Sequence, residues 1–239
     1  MRLMVDTAAF WPSEEIARKK LWIFLASCRK FNIPNDILRL YGMGTPQYPG
    51  LLRMRLDGQL KFLRENTEGF THVLYTDGWD AMFTASLDEI VGKYRTAGSP
   101  PMLTGGGFMF GNEPDIDKTP YAHLYDKRVK YRYPSMAGYI AEIPYLIDIF
   151  SRMNKEERAD DNFAWAEAVR EGWFAPVVDT SCQIFQDQED DCALDNGRLY
   201  NLLTDSQPCI LHLGGGYVNP ETGKDERLLP WARKMGIIQ

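Results

Sequence analysis

The sequence predicts an α/β fold: a Rossmann-like, mixed and mainly parallel sheet flanked by helices in a single domain. Three observations carry that reading. Short apolar runs alternate with longer amphipathic runs three times within the first hundred residues, the pattern of strands joined by crossover helices. Several apolar runs are closed by Gly or Asp-Gly, which stop strands. No low-complexity linker or internal repeat divides the 239 residues, and that length suits one large domain on a scale of roughly 100–200 residues per domain.

Residues 3–5 open as a short apolar strand. Pro12-Ser13-Glu14-Glu15 starts a helix, its acids in the first turn where they favour the helix dipole. Ile16, Leu21, Phe24, Leu25 and Cys28 share one broad face, so a single helix is expected up to Phe31, stopped by Pro34. Residues 37–41 form the second strand, closed by Gly42 and Gly44. A glycine- and proline-bounded loop follows over 44–50, then a helix over 56–65. Residues 71–75 are apolar and β-branched enough for a buried third strand. A helix over 87–94, capped by Ser86, and a strand over 101–104 complete this half. The regular part ends near 104, and 105–239 carries a histidine and a glycine loop.

The second half is less regular. Strands are expected over 135–140, 175–179, 198–203 and 208–212, and helices over 143–153 and 160–170. Residues 125–133 interleave basic and aromatic side chains. As chemistry they could bind a polyanion or stacked bases; as structure they read as a solvated edge strand with charges outward.

Composition narrows the function classes. With 44% hydrophobic and 13% aromatic residues, the chain is not a disordered one. No apolar run approaches the roughly 20 residues of a membrane-spanning helix. A net charge of -6 gives no general attraction to polyanions. Cys28, Cys182, Cys192 and Cys209 lack CxxC spacing, so structural zinc is not expected. The N-terminus has no signal-peptide core, which leads us to expect a cytoplasmic protein with reduced thiols.

The most informative residues are Asp77 and Asp80, directly after the buried third strand. Open α/β sheets bind ligands at the carboxyl ends of strands. Two carboxylates three residues apart can converge on one hard divalent cation, which in turn can bridge a diphosphate. A plain turn built on Gly78 explains the spacing equally well. His212 ends another apolar run and precedes Leu213-Gly214-Gly215-Gly216. Imidazole is a metal ligand, and glycines let backbone amides approach a phosphate closely; a packed histidine before a loop is the plainer alternative. Asp160-Asp161-Asn162 opens a helix, where capping is the simplest role and work on an acceptor hydroxyl is the chemical one. No GxSxG, Walker loop, HExxH or GxGxxG after a strand is present.

These matches line up in order with one family. The chain resembles the glycosyltransferase domain of the procollagen lysyl hydroxylases, a nucleotide-diphospho-sugar transferase domain of the GT-A type. The residues from Leu74 to Ala81 (LYTDGWDA) are similar to the family's FTDSYDV, with Trp79 in place of tyrosine. Asp160-Asp161-Asn162 resembles its acidic helix opening. Val178-Asp179 through Ile184-Phe185-Gln186 resembles its LDxxxxIFQ. His212-Leu213-Gly214-Gly215 resembles its HGNG. The similarity runs from about Val5 to Gly216.

The resemblance implies transfer of a hexose from a UDP-sugar to an acceptor hydroxyl, with 1–104 as the nucleotide-binding half and 105–239 as the acceptor half. It implies Mn²⁺ (or Mg²⁺) held by Asp77, Asp80 and His212, with Asp77 also facing the nucleotide. It implies Trp79 stacked on the uracil, Thr7 near the uridine in a loop after the first strand, Gly214 and Gly215 at the phosphates, and Asp160 and Asp161 on the acceptor side. Two departures fall toward the sugar and acceptor. The family's acid in FSAE gives way to Thr104-Gly105-Gly106, and its NSGG to Ser135-Met136-Ala137-Gly138. The acceptor, whether protein, glycan or a hydroxylated DNA base, is therefore left open, as is a nucleotide-sugar-binding protein without turnover.

Overall fold

The structure, a computed structural model, describes residues 1–42, 51–107, 128–153, 168, 173, 176–214 and 227–239, with the backbone alone for 51–55. Its elements are β1 (Leu3–Ala8), α1 (Glu14–Lys20), α2 (Trp22–Lys30), β2 (Leu38–Tyr41), α3 (Leu51–Glu65), β3 (His72–Thr76), β4 (Ala81–Phe83), α4 (Leu87–Thr96), β5 (Met102–Gly106), β6 (Tyr133–Glu142), α5 (Ile143–Met153), β7 (Val177–Asp179), β8 (Phe185–Asp187), β9 (Cys192–Asp195), β10 (Arg198–Asn201), β11 (Ile210–His212) and α6 (Leu228–Lys234).

Six strands form the main sheet in the order β2-β1-β3-β6-β5-β7. Only β6 runs against its neighbours, so the sheet is mixed and mainly parallel. Successive side chains along a strand point to opposite faces, and each face has its own core. Met4, Val73, Tyr75 and Tyr139 pack with α3 and α5. Val5, Leu74 and Ile140 pack with Phe24 of α2 and with Ile90 and Tyr94 of α4. A second, three-stranded sheet has the order β4-β11-β8. It is tied to α2 by the Phe83 N–H donating to Ser27 Oγ at 2.9 Å, and α6 closes its outer side against Met82 and Leu211. Among the described residues no helix is long and apolar enough to cross a membrane.

The expected helix from Pro12 to Phe31 is two helices. Leu21 ends α1 and begins α2 at φ -89° and ψ 15°. Hydrogen bonds run on through the break, Leu21 N–H to Ala17 O and Leu25 N–H to Leu21 O; the chain bends there and Leu21 is fully buried. Ser86 caps α4 as expected, accepting from the Glu89 N–H at 3.3 Å. Of the edge strand expected over 125–133, the described residues 128–132 are not in a strand. Residues 128–132 turn into β6, a central strand, with Tyr131 buried. Lys130 pairs with Asp191 at 2.5 Å, which neutralises a cation of the polyanion reading. Residues 125–127, the 44–50 loop and nearly all of the 160–170 helix lie outside the described residues.

Candidate metal centre

Asp77 follows β3, and its backbone N–H donates to Ala137 O of β6 at 3.1 Å. Gly78 comes next, its N–H donating to Thr7 Oγ1 at 2.7 Å. A Cβ on Gly78 would lie 2.6 Å from that oxygen and 3.0 Å from Leu21 Cδ2, so glycine is required by close approach. Thr7 itself lies inside β1, fully buried, and not in a loop after the first strand. Its hydroxyl holds the turn that carries both aspartates. Gly78→Ala is accordingly expected to lower stability by about 1–3 kcal/mol, the usual range for overpacking, as read by denaturant unfolding. An unchanged midpoint would remove this account of the turn.

Asp80 immediately precedes β4, and β4 pairs with β11 so that Ala81 faces His212. The Leu213 N–H donates to Asp80 O at 2.9 Å. This register brings His212 Nε2 to 3.2 Å from Asp80 Oδ1 and 4.0 Å from Asp77 Oδ2. One ligand atom from each of Asp77, Asp80 and His212 lies within 4.8 Å of the others, and all three residues are buried. Two carboxylates and an imidazole suit a divalent ion of the Mg²⁺ or Mn²⁺ type.

Two partners were not legible in the sequence. Tyr75 OH donates to Asp77 Oδ1 in a short bond. Asp187, fully buried at the end of β8, sits opposite His212 in the parallel β8–β11 pair and places Oδ1 2.8 Å from His212 Nδ1. A carboxylate on the far nitrogen fixes the ring so that Nε2 faces the cluster, and raises its basicity as a ligand. Burial works against charge on His212, but Asp80 beside it and the bond to Asp187 hold its pKa well above the ordinary histidine value. A cation that binds here competes with a proton for Nε2.

The LDxxxxIFQ motif has a structural meaning. Asp179 is buried, and its carboxylate accepts the N–H groups of Gln183 at 2.9 Å, Ile184 at 2.7 Å and Phe185 at 2.9 Å. That clamp folds the chain from β7 back into β8 and so delivers Asp187 to His212. The glycines of the two altered motifs are likewise fixed by packing. A Cβ on Gly105 would meet Tyr131 O at 2.5 Å, and one on Gly138 would meet the Phe185 ring at 2.7 Å.

Trp79 is half-buried against the small cluster of Ala9, Ala17 and Leu21. Gly214 is buried, its carbonyl accepting from Gln188 Nε2 at 3.1 Å. Gly215, Asp160 and Asp161 lie outside the described residues. The structure thus brings together Asp77, Asp80, His212, Thr7 and the previously unsuspected Tyr75 and Asp187.

A search of curated proteins returned no match. A family model described as the PLOD GT domain matches residues 15–221, a span that takes in the aspartate turn, the Asp179 clamp, Asp187 and His212. With the order of motifs, the GT-A sheet and a match over most of its length in agreement, the chain belongs to the glycosyltransferase-domain family of the procollagen lysyl hydroxylases.

Proposed function

We propose that this glycosyltransferase domain transfers a hexose from a UDP-sugar to an acceptor hydroxyl and depends on a divalent cation, Mn²⁺ or Mg²⁺. The observation that carries the proposal is the buried convergence of Asp77, Asp80 and His212 just beyond the carboxyl end of β3, where open α/β sheets bind their ligands. The cation, when bound, supplies positive charge to the diphosphate as it leaves. The chain's own residues do the rest. Asp77, Asp80 and His212 Nε2 hold the ion, with Asp77 turned to the nucleotide, and Asp187 fixes the imidazole. Thr7 serves the donor through the turn at Gly78. Trp79 stacks on the uracil, Gly214 and Gly215 offer close backbone approach to the phosphates, and Asp160 or Asp161 orients or deprotonates the acceptor hydroxyl.

Hydrolysis needs no knowledge of the acceptor, so a panel of UDP-sugars incubated with the protein and Mn²⁺ tests the reading. UDP release from at least one sugar is expected, lost on chelation and restored by adding the ion back. A panel that yields no UDP with any donor, from protein shown to be folded, overturns it.

A further inference from the structure

Tyr75 stands one step behind the metal cluster. It lies in β3 opposite Tyr139 of β6 and is fully buried. Its ring stacks on that of Tyr139, with centroids 4.9 Å apart and planes 19° from parallel, and packs against Tyr41 at 6.3 Å. A ring held by two neighbours keeps its hydroxyl in one place. A buried phenol oxygen also requires a hydrogen-bond partner.

Alternation along the strand supplies that partner. Side chains two residues apart on a strand share a face. Bonding to β6 continues one residue past β3, because the Asp77 N–H donates to Ala137 O at 3.1 Å. Asp77 therefore falls on the Tyr75 side, and Tyr75 OH donates to Asp77 Oδ1.

The two oxygens of Asp77 are thus unlike. Oδ1 accepts the tyrosine hydroxyl, whereas Oδ2 is the oxygen 4.0 Å from His212 Nε2. A cation that took both would compete with Tyr75 for Oδ1, and giving up a buried hydrogen bond is costly. The cluster accordingly offers single atoms: Oδ2 of Asp77, one oxygen of Asp80, and Nε2 of His212. Asp187 holds the imidazole from behind in the same way, at 2.8 Å. Such supporting partners orient metal ligands and set their affinity.

Single-atom ligands favour one kind of cation. Mg²⁺ demands a near-octahedral shell at roughly 2.0–2.1 Å and keeps positions for water and phosphate. Mn²⁺ likewise takes an octahedral shell. Ca²⁺ takes about six to eight oxygens at roughly 2.3–2.6 Å and accepts both oxygens of a carboxylate. We propose that Tyr75 is a positioning residue that keeps Asp77 a one-oxygen ligand and so sets the centre to Mn²⁺ or Mg²⁺ against Ca²⁺. The inference rests on the metal reading of Asp77, Asp80 and His212 given above.

Mn²⁺ binding by the purified chain, followed by the loss of the free-ion electron paramagnetic resonance signal and then by displacement with Ca²⁺, tests it without any sugar or acceptor. The wild type is expected to hold Mn²⁺ against a large excess of Ca²⁺. Tyr75→Phe keeps the ring and its stack on Tyr139 and removes the hydroxyl. Its Mn²⁺ affinity should fall by about tenfold or more while its Ca²⁺ affinity holds or rises, so the ratio of the two falls by at least the same factor. A merely loosened core would weaken both ions alike and leave the ratio unchanged. Tyr139→Phe, which alters the same stack away from Asp77, should keep the wild-type ratio. A wild-type ratio in Tyr75→Phe, or an equal fall in Tyr139→Phe, overturns the role of Tyr75 and leaves the metal centre standing. A wild type that takes Ca²⁺ as tightly as Mn²⁺ overturns it without any variant. A wild type that holds no Mn²⁺ removes the centre itself, and this proposal with it.

Discussion

Asp80→Ala is expected to cut Mn²⁺-dependent UDP release by about a thousandfold or more, the scale of losing a group that stabilises transition-state charge in a buried site, while the fold persists. The fold should survive because the Asp80 carbonyl, which accepts the Leu213 N–H at 2.9 Å, is kept by alanine. The β4–β11 register is unchanged, and His212 retains Asp187 at 2.8 Å. What alanine removes is one of two carboxylates within reach of Nε2, and with it the charge that retains a divalent cation. UDP release and circular dichroism on the same preparation separate the two effects. Turnover at the wild-type rate in the variant would sink the metal assignment, and loss of the fold would show Asp80 to be architectural.

Asp6→Asn is expected to stabilise the protein at neutral and alkaline pH. Asp6 sits in β1 with no exposure. Gln59 Nε2 donates to its Oδ2 at 3.3 Å, and Oδ1 has no hydrogen-bond partner among the described residues. Burial, only partly opposed by Gln59, pushes its pKa from 3.8 up to about 8. The sign follows from linkage. In the unfolded chain the carboxyl gives up its proton near its ordinary value, while in the folded chain it keeps that proton. Its contribution to stability is therefore fully present below about pH 3.8 and is lost as pH rises to about 8. At about 1.4 kcal/mol per pH unit, that window sets a ceiling of roughly 6 kcal/mol. Asparagine keeps the shape and an N–H donor in place of the retained proton, but has nothing to ionise. Denaturant unfolding at a series of pH values should find variant and wild type close near pH 4 and the variant progressively more stable toward pH 8. Parallel curves for the two proteins would contradict the assignment of a buried neutral carboxyl.

The alternation of apolar runs made the main sheet legible in the sequence, because its strands and helices bury whole faces and so keep their periods. The ranges 143–153 and 87–94 needed little or no revision. What escaped were β4, β8 and β9, each three or four residues long and too short for alternation to register, and the seven-residue helix α6. Asp187 escaped with β8. Within Gln-Asp-Gln-Glu-Asp-Asp it reads as one more solvated acid, and only the pairing of β8 with β11 shows it buried against His212. A usable signal was present. Phe185-Gln186-Asp187 and Ile210-Leu211-His212 both end a short strand on a group that can hold a proton. The break at Leu21 had no local mark, since neither Gly nor Pro stands there; it belongs to the packing of Leu21 beneath Gly78.

The metal cluster also has a place in time as well as in space. Its side chains come from a turn at 77–80 that links the large sheet to the small one and from β11 of the small sheet at 212, with the orienting carboxylate at 187 between them in sequence. Closing so long a loop is entropically slow, and contacts of such separation form late in folding. A partly folded chain with its first three parallel strands already paired would have both aspartates but no histidine beside them. The candidate metal centre would then be completed only once the small sheet has docked on the large one.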